Sequence, residues 1–196
     1  YIARVKGYKN KPWTPEKYVT WGNHEHRVDR AAEASPELQG LVGTFLFDEF
    51  WQARGWEAHP FKAVIDIDGI WYSHLMTHEM TGQAMGAMAS TLLKQVGHTF
   101  TQGHRQTYDI ATRYVGDKMQ RALIAGACYL HDEDYKGPSR DISARSGNHH
   151  WRGCVMKHDV NDGQYSLMEL PLDFFCRRYE GVSLEKFMAK RYPVAA

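Results

Sequence analysis

Residues 62–74 read KAVIDIDGIWYSH, and this stretch decides how the chain folds around it. Lys62 to Ile67 closes on the alternation Ile65-Asp66-Ile67, the period of a strand with one buried face. Asp68-Gly69 follows. That pair is the strongest short hairpin signal, because a two-residue turn of the favoured hand needs left-handed backbone at both positions. Ile70 to Ser73 then returns as a second strand and delivers His74 at its end.

Downstream, Gly82 to Val96 is rich in Ala, Met and Leu with little charge, and predicts a helix packed closely on a sheet. Gly97 is its stop signal. Thr99 to Thr101 is a short β-prone step into Gly103-His104. Further strands are expected over Tyr108–Val115, Arg121–Leu130, Trp151–Val160 and Gln164–Leu172, with turns at Gly116-Asp117 and Asn161-Asp162-Gly163. Ser183 caps a final short helix through Arg191. The polar loop from His131 to His150 is long for a compact domain, and loops of that length tend to carry function.

Upstream, Tyr18 to Trp21 predicts a short strand ending at Gly22. Helices are expected over Arg27–Ala34, interrupted by Pro36, and over Phe45–Arg54, closed by Gly55. Mixed strands and helices come first and antiparallel strands follow. The expected class is α/β: a sandwich of two mixed sheets flanked by helices, with a β-rich C-terminal half, in a single domain over 1–196.

Composition sets outer limits. The formal net charge is +1 and the sequence pI about 7.9, so no global basic field advertises nucleic acid. The three cysteines, Cys128, Cys154 and Cys176, are far apart and lack CxxC spacing. That argues against a disulfide framework or structural zinc and points to a reducing, cytoplasmic setting. No apolar run is long enough to span a bilayer, so no membrane partner is expected. The opening YIARVKGYKNK is not a signal peptide.

The chain holds 11 histidines, and the useful question is which of them converge. Residues 20–27 read TWGNHEHR. A turn needs the Gly and the Asn, but not two histidines and a glutamate after them. Asn23 and His24 follow one strand, His74 ends another, and His104 follows a third. Ligand sites in open α/β sheets collect beyond strand ends. An amide oxygen with two imidazoles suits a divalent ion such as Mn, Fe or Zn. His24 is placed to give a proton to a leaving group. Glu25 suits the first turn of a helix. His26 and Arg27 could face a phosphate at that helix start.

Gly22-Asn23-His24-Glu25, then a lone histidine in "YSHLM", then Gly103-His104-Arg105-Gln106, resembles the calcineurin-like metallophosphoesterases, most of all the bacteriophage-encoded type. Their pattern runs DxH, GDxxD, GNH(E/D), a lone His and GHxH. The stretches GACYLHDEDYKGP and HHWRG are also similar to phage members. The resemblance implies a two-metal centre on a sandwich of two sheets, with Mn foremost and Fe or Zn as alternatives. Asn23, His74 and His104 match ligands of one metal. His24 matches the residue that steadies phosphate and protonates the leaving oxygen. The implied activity is hydrolysis of a phosphomonoester or phosphodiester by metal-activated water. A nucleotide or nucleic-acid substrate is compatible, in the host cytoplasm if the chain is phage-encoded.

Two departures matter. The 21 residues before Gly22 contain neither Asp nor His, so DxH and GDxxD are absent. Either they lie upstream of Tyr1, or half the centre has been lost. Gln106 stands where the family has the second His of GHxH, and an amide oxygen is a poorer ligand for a borderline metal than imidazole. Either only the metal matched by Asn23, His74 and His104 survives, or His131, Asp132, His149 or His150 compensates from the polar loop. A catalytically impaired binding or assembly module is the alternative function.

Overall fold

The computed structural model describes residues 14–86, 88–129 and 151–191. The chain divides into two compact units, one up to Ala63 and one from Val64. No described helix is long and apolar enough to cross a membrane.

In the first unit, strand β1 (Tyr18–Thr20) pairs in parallel with β2 (Glu57–His59). Helices α1 (Asn23–Ala34) and α2 (Phe45–Gln52) lie between them in sequence. Trp21 is buried and anchors the unit: its indole N–H donates to Asp48 Oδ1 at 2.7 Å. Its backbone N–H extends the ladder to His59 O at 2.9 Å. The carboxylate of Asp29 accepts from Thr44 N–H at 2.7 Å and ties α1 to the start of α2.

The second unit carries a five-stranded mixed sheet in the order β3-β4-β5-β7-β6. Its strands are β3 (Ile65–Ile67), β4 (Ile70–Ser73), β5 (Phe100–Gln102), β6 (Tyr108–Val115) and β7 (Lys118–Ala125). Asp68 and Gly69 both have positive φ, 55° and 76°, as the hairpin signal predicts. Helix α3 (Ala89–Val96) connects β4 to its parallel neighbour β5. Adjacent strands set Trp71, Phe100 and Ala122 in one row and Tyr72, Thr101 and Leu123 in the next. Successive side chains point to opposite faces of a sheet. The first row joins Ala89, Leu92 and Leu93 of α3 in the apolar core.

The other row meets a separate two-stranded hairpin, β8 (Gly153–Asn161) with β9 (Gln164–Pro171). Lys157 of β8 donates to Tyr72 Oη at 2.9 Å and to Thr101 Oγ1. Arg121 of β7 donates to Tyr165 O at 2.8 Å. Helix α4 (Leu172–Phe175) runs into a π-helical turn over Cys176–Glu180, and α5 (Leu184–Arg191) closes the described chain. Ser183 Oγ accepts from Lys186 N–H at 3.3 Å, the expected cap. The class is thus mixed α/β.

The two hairpin turns dock backbone to backbone. Gly163 N–H donates to Asp68 O at 2.9 Å. A Cβ on Gly163 would stand 2.6 Å from Gly69 O, at a φ of 78°. Both the contact and the left-handed backbone exclude a side chain. Gly163→Ala is therefore expected to cost about 2 kcal/mol in urea unfolding. A cost below roughly 0.5 kcal/mol would show that the turns separate freely.

Several boundaries differ from expectation. Helix α1 starts at Asn23, four residues before the predicted Arg27. The helix predicted from Gly82 starts only at Ala89, because Gly82 has φ 63° and Ala84 bridges Thr77. β7 ends at Ala125, where Gly126 turns with φ 74°, rather than at Leu130. β2 had no expected counterpart.

Candidate metal centre

β4 and β5 run parallel and side by side, so both release the chain at the same end of the sheet. His74 directly follows β4, and Gly103-His104 directly follows β5. Their imidazoles meet there. His74 Nε2 lies 3.1 Å from His104 Nδ1. The ring planes cross at 77°.

The backbone around the pair is fixed from below. Gly103 N–H donates to Ser73 O at 3.2 Å. Buried Ser73 takes Leu75 N–H on its Oγ at 3.3 Å. Gln102 is 1% exposed, and its Oε1 accepts Met76 N–H at 2.9 Å. That bond fixes the amide's orientation and leaves the NH₂ as a donor. Among the described residues Gln102 Nε2 has no hydrogen-bond partner, and neither has Arg105 Nε. Two buried donors therefore sit on either side of His104 in sequence, each costly to leave unmet.

His104 itself is strained. Arg105 N–H donates to Gly103 O at 2.6 Å, closing a three-residue turn with His104 at its centre. His104 has φ 57°. Left-handed backbone costs a residue with a Cβ about 1–2 kcal/mol, and the γ-turn of this hand is the rare one. Strain of this kind gathers at functional sites, where the surroundings hold a side chain in place.

The pair suits a divalent metal. Two imidazole nitrogens bound to one ion at about 2.0–2.1 Å stand roughly 3 Å apart, and these two are 3.1 Å apart. Without an ion, one ring donates its N–H to the other. Among the described residues, no group of three or more His, Cys, Asp or Glu side chains is placed to hold a metal. Gln106 is half-buried, two residues beyond His104.

Asn23, His24, His26 and Arg27 belong to the first unit. Gly22 N–H donates to Glu25 Oε2 at 2.9 Å, so Glu25 serves the helix start as expected. Asn23 opens α1 and is half-buried, while His24 and Arg27 are exposed. His26 stacks on Phe61 at 5.2 Å, with Nδ1 3.5 Å from Asp29 Oδ2. Its ring is therefore engaged within its own unit. His131, His149 and His150 lie outside the described residues.

Two further groups gave no signal in the sequence. Lys157 lies between the rings of Tyr72 and Tyr165, at 4.2 and 4.8 Å from their centroids. Burial lowers its amine from 10.5 to about 7. Burial also raises the Tyr72 hydroxyl to about 12, with the Tyr165 hydroxyl and Asp68 adding to it. The second group is a pair of cysteines. Cys128 and Cys154 are 26 residues apart in sequence, yet their sulfurs lie 3.8 Å apart.

Compared with known proteins, the chain matches no family model, no curated protein and no solved structure.

Proposed function

We propose that the chain carries part of the centre of a metal-dependent phosphoesterase of the calcineurin-like type, acting on a phosphomonoester or phosphodiester. The observation that supports this best is the His74–His104 pair: two imidazoles 3.1 Å apart, at the ends of adjacent parallel strands, one on strained backbone. His74 and His104 would hold the ion. A bound divalent ion supplies polarisation of the phosphoryl oxygen and a water acidic enough to attack at neutral pH. The chain's own residues do the rest. Gln102 and Ser73 keep the loop after β4 in register with Gly103. The resemblance gives Asn23 a ligand's role and His24 that of proton donor to the leaving oxygen.

A second reading, an impaired module that keeps a metal without turnover, is favoured by Gln106 and by the want of a third grouped His, Cys or carboxylate among the described residues.

The test uses the protein with its full native sequence. Metal content is measured after loading with Mn²⁺ and separately with Zn²⁺. Hydrolysis of p-nitrophenyl phosphate and bis(p-nitrophenyl) phosphate is then followed. Metal uptake with saturable hydrolysis supports the enzyme. Uptake without hydrolysis selects the impaired module. No uptake of either ion removes both.

A further inference from the structure

The strand exit beyond β7 and the first residues of β8 are held together by their backbones. Gly153 N–H donates to Ala127 O at 2.9 Å, and Ala127 N–H to Trp151 O at 3.4 Å. Cys128 is the next residue along on one side, and Cys154 the next on the other. Their sulfurs are 3.8 Å apart, and both residues are exposed. Cys176, the remaining cysteine, is buried. A disulfide needs its sulfurs at about 2.05 Å. The sulfurs must therefore close by a little under 2 Å for the bond to form. Neither sulfur is committed to another described group.

We propose that Cys128 and Cys154 form a redox-responsive dithiol, which closes to a disulfide by exchange with a small oxidised disulfide such as oxidised glutathione. Cys128, as the thiolate, attacks one sulfur of the small disulfide. The S–S bond of the reagent breaks, a mixed disulfide forms on Cys128, and one reduced thiol leaves. Cys154 then attacks Cys128 Sγ, the mixed disulfide breaks, and a second reduced thiol leaves. Two protein thiols are oxidised, one small disulfide is reduced to two thiols, and both protons end on the departing thiols.

The order follows from the surroundings of Cys154. Burial, then the charge of Cys128, then its hydrogen bond push the Cys154 thiol up to about 11. Capping Cys128 removes the last two causes but leaves the burial, so Cys154 is the slower nucleophile of the two. The closed bond would enclose the segment between the two cysteines, which includes His131, His149 and His150.

The full chain is equilibrated with excess oxidised glutathione, denatured, and treated with iodoacetamide. The expected result is that two of the three cysteines escape alkylation, and that before alkylation the protein is lighter than its reduced form by about two hydrogens. Proteolysis should then yield Cys128 and Cys154 peptides joined to each other, separable with dithiothreitol. Three alkylated cysteines, or glutathione left unresolved on Cys128 or Cys154, would overturn the proposal. Cys154→Ser gives the second arm. It should accumulate the mixed disulfide on Cys128, and a folded variant that takes up no glutathione also counts against the pair. If that variant does not fold, the wild-type mass alone decides. Neither arm reads hydrolysis, so the outcome is independent of the phosphoesterase reading.

Discussion

His104→Ala is expected to cut metal-dependent phosphoester hydrolysis by at least about 10³-fold, on the order of 4 kcal/mol in the barrier, with loss of metal uptake at His74. The expectation rests on the 3.1 Å contact, since the single imidazole that follows β4 cannot replace a pair. His104→Gly separates function from folding. It removes the ligand but also the Cβ that makes φ 57° unfavourable. Its stability should rise by about 0.5–1 kcal/mol in urea while metal uptake is lost. A glycine variant that is both less stable and fully metal-loaded would show that the strained turn serves packing alone. His24→Ala should behave differently again. If it donates the leaving-group proton, turnover falls by about 10²–10³-fold and metal content stays the same. Unchanged turnover would take His24 out of the reaction.

Lys157→Met should stabilise the protein by about 3 kcal/mol at pH 6 and by little at pH 10.5. In the folded state burial brings the Lys157 amine down to about 7, while in the unfolded chain it stays near 10.5. Below pH 7 both states carry the proton, and the full penalty of burying the ammonium is present. Between about 7 and 10.5 the unfolded state binds more protons than the folded one, so stability rises with pH. Above 10.5 the amine is neutral in both states and the penalty is gone. A shift from 10.5 to about 7 sets a ceiling of about 5 kcal/mol. The hydrogen bonds to Tyr72 and Thr101 and the two ring contacts, lost in the variant, bring the expectation below that ceiling. Urea midpoints for both proteins at pH 6, 8 and 10 give the difference curve, in which other titrations largely cancel. A flat difference, or a variant weaker at every pH, would mean that the ring contacts outweigh desolvation.

The hairpins were legible because their signals are local. Asp68-Gly69 and Asn161-Asp162-Gly163 need left-handed backbone, and alternation marks the strands around them. His74 and His104 were legible for the same reason, as residues that end short strands. Composition misled from Gly82 to Gly86: Ala and Met favour helix, but Gly82 turns with positive φ and Ala84 bridges Thr77 instead. β2 was missed because Glu57–His59 is only three residues long, between Trp56 and Pro60, and shows no alternation. The settings of Lys157 and Cys128 depend on which strand lies over or beside which. No spacing along the chain encodes that, so neither the lysine's aromatic box nor the thiol pair could be read in advance.

The Gly163–Asp68 hydrogen bond also has a consequence for the order of events in folding. It joins residues about 95 positions apart. Closing so large a loop is entropically costly until both hairpins already exist. The contact is therefore expected to form after the rate-limiting barrier. Gly163→Ala should leave the refolding arm of a chevron plot almost unmoved and shift its effect to faster unfolding, with a φ-value near zero. The meeting of two glycine turns would then act as a latch, setting how long the second unit stays folded rather than how fast it gets there.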